Sequence, residues 1–448
     1  MTTITRARDF FAPKLRHVAQ FTTRQGIAVA GNLVYGLLCV RILPVADYAK
    51  FAVLFAYMGS LTVLLDVGIS STLGPLVGEQ INNLPLVANY VASLRKLALW
   101  VYLGVSPLAA ICFVLLVQKQ HWGAAVVAQM LLVLLVTAWF ARVSSSYGAV
   151  LILRRDRAYY YRVQIIGSLG SLGLLLVFWL LHSVNIYVGI LLNVAQVISM
   201  AFGYFRRSQH LLGVKGEPSA QQERAILHLA MPNVPSSIFY ATQGQLMLIL
   251  ITIFGHSASS VANIGALFRL NQILMFFSQM NPILVHPFFA RMQEARVRRN
   301  YVLVVSIVGI LVMVYAGLAF LYPWLFLWIL GPKYNSLSFE VSLVILSSAI
   351  QYVAGLLWMI NSARRFTYWW NNLSHIVLTL ILQVIVVWKV DLSTVRNVLF
   401  LNIACAILTL LINFGVGIYG FTFGPQKLEN PGASDDLDLA SPEKSTAG

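Results

Sequence analysis

The sequence predicts an all-α polytopic membrane protein with about twelve transmembrane helices, and three observations support this prediction. The chain has 448 residues, of which 59% are hydrophobic and 10% are charged, whereas soluble domains carry about 25% charged residues. Apolar runs of about 20 residues, which is enough to span a bilayer, recur along the chain. The net charge of +16 comes from Lys and Arg in the short segments between these runs. That distribution is typical of membrane loops and not of a nucleic-acid-binding surface.

The apolar runs form two groups of six, which predicts two six-helix bundles. The first bundle is expected at 25–205 and the second at 226–420, with a polar, glycine-containing connector at 206–225. No loop is long enough to form a further domain. The predicted spans are 25–43, 51–73, 97–117, 123–153, 162–182 and 184–205 in the first bundle, and 226–254, 258–290, 301–322, 336–360, 370–389 and 395–420 in the second.

The two bundles share weak internal similarity. Residues 46–55 align with residues 259–268, with identities at Ala49 and Ala262, Leu54 and Leu267, and Phe55 and Phe268. Both segments follow the first span of their bundle, where a duplicated unit would place them. With an even number of spans per unit, such repeats are parallel, and they would surround a central cavity. Chance similarity between apolar segments is the alternative.

The positions of the basic residues predict the orientation of the chain. With the N-terminus inside, 23 of the 31 Lys and Arg residues fall on the inner side. Six fall on the outer side, and the remaining two, Arg142 and Arg269, lie within spans. An excess of Lys and Arg marks the cytoplasmic side of a membrane protein. Both termini are therefore expected in the cytoplasm.

The two ends of the chain differ from the bundles. Residues 1–24 alternate basic and apolar side chains, which predicts a basic amphipathic segment on the anionic inner surface of the membrane lipids. Residues 421–448 are acidic and rich in Pro, Ser and Gly. That composition predicts a disordered C-terminal tail.

A carboxylate and a guanidinium lie within apolar runs of the first bundle. An uncompensated acid such as Asp66 costs about 2.5–3.5 kcal/mol in lipid, so Asp66 is expected to face protein or water. Arg142 lies twelve residues before Arg154, a basic residue at the end of its run. One hypothesis is a structural Asp66–Arg142 pair, and the other is that Arg142 supports ligand binding.

Arg269 is the strongest candidate for a functional residue in the second bundle. At helical spacing it shares a stripe with Gln272, Gln279 and His286, and no acid lies within one turn. Arginine stays charged and holds phosphate in a bidentate fork, so an anionic ligand is expected. The alternative is a cation satisfied by helix-end carbonyls. His286 is a candidate for proton coupling or a structural histidine.

Polar residues also share one face on two other predicted spans. The seventh span carries one of these faces, with Asn233, Ser236, Tyr240 and Gln243. The first span carries the other, with Arg24, Asn32 and Tyr35. Such faces line a cavity or pack against another polar helix. Their aromatic rings could stack on sugars, although the membrane interface or the core is the commoner place for an aromatic residue.

The second predicted span begins and ends with recognisable motifs. It begins with Asp47-Tyr48-Ala49-Lys50-Phe51 and ends with Asp66-Val67-Gly68-Ile69-Ser70. This span resembles the second helix of bacterial polysaccharide flippases, which transport lipid-linked oligosaccharides and belong to the MATE-like MOP superfamily. Ala49 departs from the glycine that the family favours. The hydropathy layout is similar to that of the family as far as about Phe421.

The resemblance implies a transporter and not an enzyme. Its cargo would be a polyprenyl-pyrophosphate-linked oligosaccharide, moved by alternating access from the inner to the outer leaflet of the bacterial inner membrane. The product would serve exopolysaccharide, capsule or O-antigen synthesis, with a glycan polymerase and other assembly proteins as partners. Arg24 and Arg269 would attract the pyrophosphate, with Arg142 in support. No cofactor or metal is expected, and coupling to a proton or sodium gradient is left open.

Two other functions are alternatives. The first is a MATE-like exporter of another amphiphile or a drug. Exporters of cationic drugs in this superfamily normally need an acid in the first, seventh or eighth span, and none is present there. The second is a membrane-embedded glycan-assembly enzyme or scaffold. An enzyme of that kind would need a catalytic carboxylate and a large external loop, and a scaffold would not need Arg269.

Overall fold

The computed structural model describes residues 24–424, except for positions 79, 256, 279–280, 291, 293 and 367. The predicted amphipathic N-terminal segment and the predicted acidic tail therefore lie almost wholly outside the described residues. Within them, all regular secondary structure is helical. The helices of the first half are α1 (Arg24–Ile42), α2 (Val45–Asp66), α3 (Leu73–Val77), α4 (Leu84–Val117), α5 (Ala124–Leu153), α6 (Arg157–Leu180) and α7 (Ile186–Leu212).

Ten further helices follow in the second half. They are α8 (Ala220–Ala230), α9 (Val234–Gln243), α10 (Leu246–Phe254), α11 (Ala258–Ser278), α12 (Asn281–Ala290), α13 (Glu294–Leu321), α14 (Pro323–Leu330), α15 (Ser338–Ala363), α16 (Trp369–Lys389) and α17 (Val395–Phe423). Eleven of the described helices are long and apolar enough to cross a membrane. The pair α9 and α10, bent by 58° at its break, would make a twelfth span. The predicted all-α protein with about twelve spans is thus confirmed.

Several helices of the first half have different bounds from those predicted, and α4 and α2 matter most here. α4 begins at Leu84 and not near residue 97, because the Asn83 side chain accepts a hydrogen bond from the Leu86 amide (3.2 Å) and caps an earlier start. α2 ends at Asp66 and not at residue 73. Val67 and Gly68 adopt left-handed backbone there, with φ of 43° and 75°, which stops the helix. Asp66 is therefore the last residue of the span and does not lie in its interior.

The predicted eighth span, 258–290, contains two described helices, α11 (Ala258–Ser278) and α12 (Asn281–Ala290). Positions 279 and 280, between these helices, lie outside the described residues. The predicted stripe is therefore described only in part. Arg269 and Gln272 lie on α11, His286 lies on α12, and Gln279 is outside the described residues.

The segment that links the two halves packs against the first half. α7 continues into the predicted connector as far as Leu212, and Gly213, with φ of 67°, ends it. α8 then lies against α4. Lys96 forms a 2.8 Å ion pair with Glu223, and Ser93 Oγ donates to Gln222 Oε1 at 3.0 Å. The connector is thus fixed to one end of the bundle, which we call the connector end.

The two halves meet through α2 and α11, the helices that carry the aligned segments 46–55 and 259–268. A Cβ atom on Gly265 would lie 2.6 Å from Ala52 Cβ, so glycine permits the close approach of these helices. At the end of the bundle where α1 finishes, which we call the distal end, Lys333 Nζ donates to the carbonyl oxygens of Arg41 (2.9 Å) and Leu43 (2.8 Å). The second half therefore contacts the first at the distal end.

Candidate functional site

Arg269 lies at the contact between the two halves, on the part of α11 that faces α1. Its guanidinium approaches α1 so closely that a Cβ atom on Gly36 would lie 3.0 Å from Nη1. The guanidinium carbon is 5.8 Å from the ring centre of Phe55 on α2. Nη1 donates to Gln272 Oε1 at 3.4 Å, a long hydrogen bond. Among the described residues, no carboxylate forms an ion pair with Arg269.

α1 and α11 run in opposite directions along this contact. A Cβ atom on Gly26 would lie 3.3 Å from the Phe276 ring, whereas Gly36 is next to Arg269. Arg24 lies at the start of α1 and is exposed. Twelve residues of helix separate it from Gly36, a rise of about 18 Å. Arg24 therefore lies at the connector end of α1, and Arg269 lies against α1 farther along it.

The other intramembrane cation has an acid partner. Arg142 on α5 is 2% exposed, and its Nη1 donates to Asp66 Oδ1 and, at 2.9 Å, to Ser70 Oγ. Ser145 Oγ donates to Ser70 Oγ at 3.0 Å and completes the group. The hypothesis of an Asp66–Arg142 pair matches this geometry. In this conformation the guanidinium is turned to Asp66, and the expected support of ligand binding by Arg142 stays a prediction.

The other polar residues of α1 contact α7 and do not contact Arg24. Asn32 Oδ1 accepts a hydrogen bond from Gln196 Nε2 at 3.0 Å. The Tyr35 hydroxyl donates to the carbonyl oxygen of Gly189. Asn32 and Tyr35 are thus joined to a neighbouring helix of the same half, which favours the packing alternative for this face in the described conformation.

The predicted polar face of the seventh span lines a large cavity. The cavity has a volume of about 710 Å³ and lies within the second half, between α9, α10, α15, α16 and α17. Ser236, Tyr240 and Gln243 all contribute to its wall, as their helical spacing predicts. Nothing is described for the side chain of the fourth residue, Asn233. The break between α9 and α10 follows directly at Gly244, which also lines the cavity.

Sequence reasoning missed the rest of this cavity wall. α15 contributes Gln351 and Trp358, α16 contributes Asn371, Asn372, His375 and Thr379, and α17 contributes Asn402, Thr409 and Asn413. On α16 and α17 these residues recur at intervals of three, four or seven, which places them on one face of each helix. That helical spacing of polar residues could have indicated the cavity, but it is a weaker signal than a charged residue in an apolar run.

The cavity wall is mostly apolar with amide and hydroxyl groups set into it, and it carries no Lys, Arg, Asp or Glu among its described residues. Several of its polar groups are already hydrogen-bonded within the protein. Tyr240 Oη lies 3.3 Å from His375 Nδ1, and His375 Nε2 lies 3.0 Å from Thr409 Oγ1. Gln243 and Gln383 exchange two amide hydrogen bonds, of 3.1 and 2.7 Å. Among the described residues, no three His, Cys, Asp or Glu side chains are grouped as metal ligands.

No protein-family model and no curated protein sequence matches this chain. Solved structures do match its fold. An inward-facing multidrug resistance MATE family transporter of the MOP superfamily has a TM-score of 0.66 and 12% identity, over 88% of this chain and 94% of that one. An outward-facing MATE family multidrug transporter has a TM-score of 0.56 and 13% identity, over 91% and 94%. The chain therefore has the MATE fold that the resemblance implied.

A third similar structure differs in the character of its binding site. It is a MOP superfamily transporter from Pyrococcus furiosus, described as having a binding pocket of reverse polarity that suggests a different function. Its TM-score is 0.56 at 12% identity, over 91% of this chain and 95% of that one.

Proposed function

We propose that this protein transports a polyprenyl-pyrophosphate-linked oligosaccharide from the inner to the outer leaflet by alternating access. Its fold is that of MATE transporters, whose solved structures include inward-facing and outward-facing conformations. The cargo combines a doubly phosphorylated group with a polar glycan and a lipid chain. A site that carries it needs a cation where the two halves meet, and a polar space beside that contact.

The observation that carries the proposal is Arg269. It lies between the halves against Gly36 and Phe55. Its hydrogen bond to neutral Gln272 is long, and another polar neighbour, Tyr48, is not a carboxylate. A guanidinium without a carboxylate partner retains the capacity to bind a phosphate group in a bidentate fork. Arg24, exposed at the start of α1, would meet the anion at the connector end before it reaches Arg269. The amides and aromatic rings that line the cavity of the second half are suited to the glycan.

The test is complementation of a bacterial strain that lacks its own lipid-linked oligosaccharide flippase. Arg269→Ala should abolish export while the protein still inserts, since hydrogen bonds to charged groups contribute about 1.5–3 kcal/mol each. That loss corresponds to roughly tenfold or more in ligand capture for each bond. Arg269→Lys should recover part of the export, because a point charge replaces a fork. The matched control is Arg162→Ala, which removes an exposed arginine on α6.

Normal export by Arg269→Ala at matched membrane expression would contradict the proposal. A second candidate function is export of another amphiphile, favoured by the aromatic rings that line the 710 Å³ cavity. Under that function, the protein would fail to restore glycan export and would instead lower the accumulation of a fluorescent amphiphile in cells. In that case the exporter would replace the flippase as the better explanation.

A further inference from the structure

We propose that the cavity within the second half is a binding site for the uncharged sugar residues of the cargo. This inference rests on the proposed function and names the part of the ligand that the cavity receives. The cavity, of about 710 Å³, falls within the range of ligand pockets, roughly 300–1,000 Å³. Arg269 is not among the described residues that line the cavity, so the two sites are separate.

The chemistry of the wall disfavours a charged ligand. Its described lining residues include no Lys, Arg, Asp or Glu to balance the charge of a phosphate, a carboxylate or an ammonium group. Burying such a group without a counter-charge is costly, because water no longer solvates it. A sugar acid or a cationic drug therefore does not fit this cavity as well as a neutral molecule does.

The polar groups set into this wall favour a hydroxylated ligand over a lipid tail. Six of its side chains are amides, namely Gln243, Gln351, Asn371, Asn372, Asn402 and Asn413. Several of these amides already bond protein groups, but the buried Asn371 Oδ1 does not, and an alkyl chain could offer it no hydrogen bond. A sugar hydroxyl also donates and accepts, so a polyhydroxylated ligand matches this mixture of groups.

Two buried side chains indicate that the wall has unused hydrogen-bonding capacity. Asn371 and Thr379 line the cavity, and their side chains are at most 7% exposed. Within the part of the chain that the structure describes, Asn371 Oδ1 and Thr379 Oγ1 have no hydrogen-bond partner. Buried polar atoms are nearly always paired in proteins. A hydroxylated ligand, or water that it displaces, would pair them after a small side-chain rotation.

Aromatic rings complete the match with a sugar. Trp358 and Tyr240 line the cavity and are 46% and 47% exposed, so their faces are accessible. The C–H groups on one face of a pyranose are apolar and pack against an aromatic ring, while the hydroxyls at the ring edge remain free for amides. The contact between the Tyr240 hydroxyl and His375 restricts the orientation of the Tyr240 ring. The wall thus offers two aromatic platforms within a belt of amides.

The experiment measures sugar binding to the full chain in lipid nanodiscs by saturation-transfer-difference NMR. The probes are three neutral tetrasaccharides (maltotetraose, cellotetraose and N-acetylated chitotetraose) and the anionic tetragalacturonate. At least one neutral tetrasaccharide should give a signal that Trp358→Ala lowers by about threefold to tenfold, in line with the strength of aromatic contacts. Asn372→Leu, at an exposed position of the wall, should lower the same signal. The control Trp179→Ala removes a tryptophan of similar exposure, 48%, from the first half and should leave the signal unchanged.

Binding of geranyl pyrophosphate, compared between the wild-type chain and Arg269→Ala, reports separately on the proposed function. Pyrophosphate binding without any neutral-sugar signal would overturn this inference and leave the proposed function in place. A neutral-sugar signal that is insensitive to both cavity variants, or a stronger signal from tetragalacturonate, would also overturn it. A cavity-dependent sugar signal without pyrophosphate binding supports the sugar site and counts against the pyrophosphate-linked cargo.

Discussion

Arg142 and Arg269 are two intramembrane arginines in opposite halves of the molecule, and their surroundings differ. Arg142 is 2% exposed and is held by Asp66 and Ser70 within the first half. Arg269 is partly exposed at the contact between the halves, and its side-chain neighbours, which include Phe55, Tyr48 and Gln272, are not carboxylates. One charge is neutralised by the protein, and the other is not. Depth in the membrane alone therefore does not identify a ligand-binding cation.

The difference suggests different roles for the two residues. A buried ion pair holds two helices in register, and breaking it leaves a charge without a partner. A cation without an acid partner in its own protein gains most from an anionic ligand. Each of the following substitutions alters one side of this comparison, and they are ordered by the size of the expected effect.

The largest effect is expected when the Asp66–Arg142 pair is broken. Asp66→Asn and Arg142→Gln should each destabilise the protein by about 3 kcal/mol, the low end for a buried pair, because the Asp66 side chain is 28% exposed. The double substitution should be milder than the sum of the two. The measurement is the yield of monodisperse protein and its thermal unfolding midpoint in detergent.

Asp47→Asn is the control for this prediction. It removes another α2 carboxylate, whose 3.2 Å pair with Lys50 is solvent-accessible, and such pairs contribute about 0–1 kcal/mol. Asp47→Asn should therefore fold nearly normally. Additive effects of the two single changes would mean that Asp66 and Arg142 are not coupled, despite their contact.

The comparison also indicates what could be predicted from the sequence. The lengths of the apolar runs predicted the membrane-spanning helices. The Asp66–Arg142 contact could be proposed because one acid and one cation interrupt the apolar runs of the first half. The approach of Gly36 to Arg269 could not be predicted, since it depends on how two helices distant in sequence pack. The second-half cavity was recognised only on α9. Its other amides are spread over three helices, one on α15 and two each on α16 and α17, and become neighbours only in the folded bundle.

The next prediction gives Arg269 an acid partner of the kind that Arg142 already has. Gln272→Glu would place a carboxylate where Gln272 Oε1 now lies, 3.4 Å from Arg269 Nη1. An acid at this distance pairs with the guanidinium and competes with an anionic ligand. Export should decrease about tenfold, a difference of about 1.4 kcal/mol, with normal amounts of folded protein. The measurement is export in the complementation strain at matched expression.

Gln209→Glu provides the control, because it makes the same change in the last turn of α7, far along the chain from either arginine. It should export normally. If Gln272→Glu also exports normally, a neutralised Arg269 is sufficient for transport, and the distinction drawn between the two arginines has no functional meaning.

The smallest effect is expected from moving the Arg269 guanidinium without changing any charge. A Cβ atom at Gly36 would lie 3.0 Å from Nη1 and 3.1 Å from Cζ of Arg269. Gly36→Ala should therefore shift the guanidinium by a few tenths of an ångström. A misplacement of about 1 Å can cost a hundredfold in function, so a loss of about threefold in export is expected.

The matched control is Gly104→Ala in α4, where a Cβ atom would meet nothing within 4 Å. Alanine is the better helix former there, by about 0.5–1 kcal/mol, so this variant should export normally and be slightly more stable. Equal export by both glycine variants would show that the position of the guanidinium beside α1 is not critical, even though its charge is.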